Sequence, residues 1–268
     1  MKCRAPQFRI GCTSFTIPGE YIPAVRACAQ YADDISLLLT DPGLRGEYMI
    51  SRKEIEELRK IADGEGLTWN IHLPCHTDYS SAESSAILET TTLQAIELTL
   101  PLTPHTWVLH VCDQSLLTPG SPDYFSKSQT ENICASLSRI AKALDSPEQL
   151  ALENLEFFKI DLLDEIMGKT PYSRCFDIGH VWKDGLLPES LLPRWLPQTR
   201  IFHLHGLAER DHRSLAHMPT ERIDAILHPL WDAGFSQTIT LEVFSLNDFL
   251  TSHQAIIESH DRHSNNTP

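Results

Sequence analysis

Eight short runs rich in apolar and β-branched residues, each followed by a segment of helical period, limit the folding of this chain more tightly than any other feature. The runs fall at 8–13, 35–39, 68–73, 107–112, 150–155, 174–178, 201–204 and 238–244. Several are almost wholly apolar, which suits strands of a parallel sheet covered by helices. Helical signals fill the intervals. Ser51-Arg52-Lys53-Glu54 is a capping-box pattern ahead of Ile55, Leu58, Ile61 and Ala62, and apolar residues recur every three or four positions through 87–100, 133–144 and 223–231. Further helices are expected over 18–31, 160–167, 187–195 and 248–257. Eight strand–helix units in 268 residues predict a single α/β domain, a (β/α)8 barrel over 1–258. A doubly wound open sheet is the competitor. Its fingerprints are missing: Gly64-Glu65-Gly66 precedes a strand rather than following one, and no phosphate-binding loop or nucleophile elbow occurs. Residues 259–268 carry no apolar pattern and are expected to form a flexible tail.

The chain carries 22 Lys and Arg against 36 Asp and Glu, a net charge of −14. Proteins that bind nucleic acid release counterions through a basic face, so a small-molecule substrate is expected and a nucleic-acid partner is not. No apolar run approaches the roughly 18–20 residues of a membrane span, and the first residues lack a signal-peptide core. The expectation is a cytoplasmic chain with no membrane partner. Seven scattered cysteines without C-x-x-C spacing read as reduced thiols rather than a disulfide framework or zinc ribbon.

In a (β/α)8 barrel the active site lies at the C-terminal strand ends, and here those ends are rich in ionisable residues. Strand three ends in Asn70-Ile71-His72, strand four in His110, strand five in Glu153-Asn154 and strand six in Asp177-Ile178-Gly179-His180. Strand seven ends in His203-Leu204-His205 and strand eight in Glu242, while the loop after strand seven holds Glu209-Arg210-Asp211-His212. One such histidine is an ordinary buried side chain. Six consecutive strands are a different case, because burying several carboxylates without compensation costs on the order of several kcal/mol per ion. They must be neutral or held by cations. Imidazoles with carboxylates and no thiolate suit zinc, manganese, iron or cobalt, and one carboxylate can bridge two ions.

These pieces resemble the xylose isomerase-like TIM-barrel superfamily, which includes endonuclease IV and several sugar isomerases and epimerases. The resemblance runs from the first strand to the last and implies that His72, His110 and Glu153 hold one ion. It implies that Glu153, Asp177, His203 and Glu242 hold a second, with Glu153 bridging. A third would take His180 with Asp211 or His212, although the endonuclease loop spaces its Asp and His two apart and these two are adjacent. Two or three divalent ions, zinc first, are therefore the expected cofactors. Within the superfamily, Arg9-Ile10-Gly11 with Thr13-Ser14, Asp33-Asp34-Ile35, Arg210-Asp211-His212-Arg213-Ser214-Leu215 and Leu241-Glu242-Val243-Phe244-Ser245 are similar to the cobamide-remodelling phosphodiesterases. These cleave the nucleotide loop of cobamides, the vitamin B12-type cofactors, to cobinamide phosphate and the α-riboside of the lower base.

By that resemblance the substrate is a cobamide; Glu153 and Glu242 are the catalytic candidates, with His180 a third-metal ligand or a stabiliser of the leaving group, and Asn154, His205 and Arg210 are candidate substrate contacts or, in turn, a strand-end hydrogen bond, a packed ring and a partner of surface acids. Segments 41–50, 77–85 and 115–128 are the loops available to build a wide mouth. A sugar isomerase or epimerase using Glu153 and Glu242 as an acid/base pair across one ion is the alternative. A DNA-repair endonuclease is a weaker one, given the acidic charge.

Overall fold

A computed structural model describes residues 7–17, 19–39, 50–75 and 78–266. The strands are β1 (Arg9–Thr13), β2 (Asp34–Leu38), β3 (Thr68–His72), β4 (Thr106–His110), β5 (Leu150–Glu153), β6 (Ser173–Asp177), β7 (Thr199–Leu204) and β8 (Thr238–Leu241). Each pairs in parallel with its sequence neighbour, and β1 pairs with β8, so the sheet closes into the expected barrel. Around it lie helices α1 (Tyr21–Cys28), α2 (Arg52–Glu65), α3 (Ala82–Thr99), α4 (Lys127–Ala141), α5 (Asp164–Met167), α6 (Ile178–Lys183), α7 (Leu192–Trp195), α8 (Thr220–Asp232) and α9 (Leu246–Asn266). The Ser51 hydroxyl accepts the Glu54 N–H while the Glu54 carboxylate accepts the Ser51 N–H, completing the capping box read from the sequence.

Alternation along the strands sorts the residues into two populations. Trp69, Ile71, Trp107, Leu109, Leu152, Phe176, Phe202 and Ile239 join the main hydrophobic core with the helices. Their neighbours on the other face meet in the barrel interior. There Val108, Ala151, Cys175 and Ile201 make a small separate apolar cluster, and the remaining interior is polar. Asp34, fully buried, accepts from Thr68 Oγ1 at 2.5 Å and Asn70 Nδ2 at 2.6 Å and faces His105 Nε2 at 2.8 Å. Burial alone would raise the Asp34 pKa, but His105 and these donors hold it below the usual carboxylate range. The closing seam is equally tight. A Cβ on Gly11 would lie 3.0 Å from Thr240 Oγ1, and Thr13 donates its hydroxyl to the Val243 carbonyl.

Three expectations need correction. Residues 259–266 are helical, because Ser259 and Arg262 anchor α9 on Asp224 of α8, with Oγ–Oδ1 at 2.6 Å and guanidinium contacts of 2.7 and 2.8 Å. That face is polar, so it shows no apolar stripe. The helices expected over 160–167 and 187–195 shrink to α5 and α7, with Pro188 and Pro193 opening short turns in the second stretch. A helix was not expected directly after β6, yet the Asp177 carboxylate accepts the His180 N–H at 2.7 Å and starts α6 there. Of the loop 41–50, only Ile50 is among the described residues, and Thr77 and His76 lie outside them. The described cysteines are free thiols, and no described helix is long and apolar enough to cross a membrane.

Replacing Asp34 with Ala strands Asn70, Thr68 and His105 without their shared acceptor. Stability should fall by about 3 kcal/mol in denaturant unfolding at neutral pH. Because the folded-state pKa is depressed, this contribution is complete above about pH 4 and disappears as pH falls further. The gap between wild type and variant should therefore narrow in acid; a gap independent of pH would show that Asp34 acts through packing alone.

Candidate metal centre

The register of the barrel places the strand-end residues side by side: His110 opposite Glu153, and Asp177 opposite His203. Glu153 is central. Its Oε2 lies 3.0 Å from His110 Nε2 and 3.3 Å from His72 Nε2, while its Oε1 lies 3.0 Å from His203 Nδ1. His203 Nδ1 also approaches Glu242 Oε2 at 3.1 Å and Asp177 Oδ2 at 3.9 Å. Ligand-capable atoms of His72, His110 and Glu153 thus converge as one group, and those of Glu153, Asp177, His203 and Glu242 as another. These are the two sets that the family resemblance implied.

Backbone carbonyls fix several of the imidazoles. His72 Nδ1 lies 3.0 Å from the Leu73 carbonyl, and His180 Nδ1 lies 3.0 Å from the Asn154 carbonyl. A ring that donates from Nδ1 keeps Nε2 free to ligate. Burial resists charge on Glu153, Glu242, His203 and His212, and these carboxylates and imidazoles overcome it together. Glu153 is held well below the ordinary carboxylate range by His203 and His110, and Glu242 is held there chiefly by His203. His212 is likewise opposed by burial but pushed up to about 9 by Glu242. Asp177 Oδ2 and His203 Nε2 are buried with no hydrogen-bond partner. The orphaned Asp177 Oδ2, inside a ring of oxygen and nitrogen donors, fits a divalent cation of the zinc type.

The third set differs from expectation. His180, His205 and His212 bring their ring nitrogens together, whereas Asp211 is turned into an ion pair with Lys183. His212, at φ 53°, stacks on His205 with centroids 4.1 Å apart. His205 stands on the site face. Its Nδ1 lies 3.0 Å from the His212 backbone nitrogen and 3.3 Å from the Gly206 carbonyl. Its Nε2 lies 3.5 Å from Asp177 Oδ1 and has no hydrogen-bond partner. Asn154 serves Asp177. Its amide receives the Asp177 N–H and donates to the Asp177 carbonyl, both at 2.9 Å, which spends it on positioning rather than on a substrate. Arg210 is exposed and donates to the Asp211 carbonyl, outside the cluster.

Two participants escaped the sequence reading. Glu156 Oε2 lies 3.2 Å from His180 Nε2, and Lys183 bridges Glu156 and Asp211. Lys183 is three residues beyond His180, a spacing that puts both on one side of a helix. The signal was hidden because strand six was expected to continue to Ile178.

No protein-family profile matches the chain, and no curated protein matches it. Solved structures do. A D-tagatose 3-epimerase-like protein is 17% identical with a TM-score of 0.77, covering 96% of this chain and 99% of its own. A xylose isomerase domain protein from Planctomyces limnophilus is 14% identical at 0.70, covering 98% and 100%. The IOLI protein, solved with a zinc atom, is 14% identical at 0.66, covering 96% of each chain. The fold is therefore that of the xylose isomerase-like TIM barrels.

Two outcomes follow from this geometry. Replacing both His72 and His110 with Ala should lower tightly bound zinc, measured by elemental analysis, by one ion per chain, with the four-donor set still filled; unchanged content would show that these imidazoles do not ligate. A Cβ on Gly179 would fall 2.1 Å from the His205 ring. Gly179→Ala should therefore cost about 1–3 kcal/mol in denaturant unfolding, and a neutral effect would mean that His205 is not fixed where it stands.

Proposed function

We propose that the chain is a metal-dependent phosphodiesterase acting on the nucleotide loop of a cobamide, yielding cobinamide phosphate and the lower-base α-riboside. The observation that carries the reading is Glu153 with its two oxygens facing two different donor sets. Glu153, Asp177, His203 and Glu242 would hold one ion, and the added imidazoles of His72 and His110 with Glu153 would hold a second. Divalent ions held there would neutralise the phosphoryl oxygens and the departing oxygen and would activate water.

The remaining steps belong to the side chains. Glu242, beside His203 and His212, orients the attacking water and takes its proton. As the phosphorus–oxygen bond to the ribose breaks, His180 Nε2 supplies a proton to the leaving oxygen, its ring aimed by the Asn154 carbonyl. Glu153 and Asp177 keep the donor sets in register, and Asn154 holds Asp177. The acidic net charge suits a small anionic ester better than a DNA duplex.

A second reading is favoured by the similar solved structures, which include a D-tagatose 3-epimerase-like protein. On that reading Glu153 and Glu242 exchange a proton with a sugar carbon across one ion, and His72 and His110 stand outside the chemistry. The two readings part at those histidines.

Metal-replete protein incubated in the dark with adenosylcobalamin under reducing conditions should give cobinamide phosphate and the riboside by liquid chromatography with mass detection. Chelator should stop it, and Glu153→Ala or Asp177→Ala should slow it by more than about a hundredfold. His72→Ala should be nearly as damaging. Absence of product from protein shown to contain metal, together with epimerisation of a ketose that survives His72→Ala, would establish the second reading instead.

A further inference from the structure

The third donor set that the resemblance implied does not assemble around an ion position. His180, His205 and His212 bring ring nitrogens together, and among the described residues no carboxylate joins them. Their rings are also set against sharing one ion. Zinc sits about 2 Å from a ligating imidazole nitrogen, in the plane of the ring. His205 and His212 are stacked 4.1 Å apart with 15° between their planes, so one ion cannot lie in both planes at that distance. Two carboxylates border the group, and both are engaged. Glu156 Oε2 lies 3.2 Å from His180 Nε2, and Asp211 Oδ1 lies 3.3 Å from His212 Nδ1. Their other oxygens, Glu156 Oε1 at 3.1 Å and Asp211 Oδ2, close on Lys183 Nζ. The ammonium therefore stands between two carboxylates, each of which reaches an imidazole with its far oxygen. All three charged side chains are less than a third exposed, so each depends on its counter-charge. Lys183 is placed by α6, one turn beyond His180 on the helix that Asp177 caps.

We infer that the Lys183 ammonium is the resident third cation of the centre, neutralising Glu156 and Asp211 where the resemblance implied a divalent ion; the assignment rests on the metal-dependent reading above. An ammonium is a compact positive charge with three donors and no acceptor. It satisfies both carboxylates at once and repels a divalent ion from the gap between them. Unlike such an ion, it takes no lone pair from an imidazole. His180 Nε2 is thereby left to carry a proton rather than a metal, which is the part it plays in the proposed reaction. Metal is confined to the two donor sets that share Glu153.

Counting zinc by elemental analysis, in protein equilibrated against a zinc buffer that saturates wild type, tests this directly. Lys183→Met keeps the length of the side chain and removes its charge. It should hold one ion per chain more than wild type, because Glu156 and Asp211 are released to the imidazoles beside them. Lys183→Arg should match wild type, and adding Asp211→Asn to Lys183→Met should remove the extra ion. Asp211→Asn alone, with the lysine in place, should leave the wild-type count unchanged. Equal counts for wild type and folded Lys183→Met would overturn the inference, as would loss of an ion from Asp211→Asn alone. If Lys183→Met does not fold, the Asp211→Asn count decides. A wild-type count of one ion would defeat the two-ion phosphodiesterase reading, and the differences between variants would still decide the role of Lys183.

Discussion

Keeping the Glu153 carboxylate out of water is the constraint on which the mouth of the barrel depends. The residue is 1% exposed, and an ionised carboxylate so placed persists only among positive or strongly polar partners. His72, His110 and His203 arrive from three other strands to meet it, and those rings bring Glu242 and Asp177 with them. Each added carboxylate deepens the demand for positive charge, and the imidazoles answer it by holding Glu153 and Glu242 well below the ordinary carboxylate range.

The same economy runs down the interior. A barrel of this size is usually filled by branched apolar side chains. Here the apolar filling is reduced to Val108, Ala151, Cys175 and Ile201, and the opposite side of the lumen is a hydrogen-bonded column from Asp34 through Asn70 to Thr240. Polar groups fixed by reciprocal hydrogen bonds specify register more sharply than interchangeable methyl groups do. A barrel whose catalytic end tolerates little displacement gains from such a rigid base.

The closed barrel and the gathering of ionisable residues at its strand ends were legible because strand period and strand-end position are written in local sequence, whereas the division into two donor sets around Glu153 came from the family resemblance. Other features depend on partners distant in the chain. Ser259 and Arg262 look like tail residues until Asp224 is beside them. Asp211 looks like a ligand until Lys183 claims it, and Asn154 like a substrate contact until Asp177 occupies both ends of its amide. Several residues that carried the narrower resemblance proved to be seams of the barrel. Gly11 and Thr13 join β1 to β8, Asp33 accepts the Ile10 N–H, and Asp34 closes the base. Resemblance at such positions speaks for the scaffold more than for the reaction, and the chemistry has to be read from the mouth.

Asp177 ends a strand, caps the helix that follows and contributes to the four-donor set, so α6 is a lever with its fulcrum in the centre. The far end of that lever carries Lys183 and Asp184, which grip Asp211, Glu156 and the Phe157 backbone. The geometry of the four-donor set and that of the loops bearing Glu156, Phe157 and Asp211 are therefore tied to the two ends of one short helix.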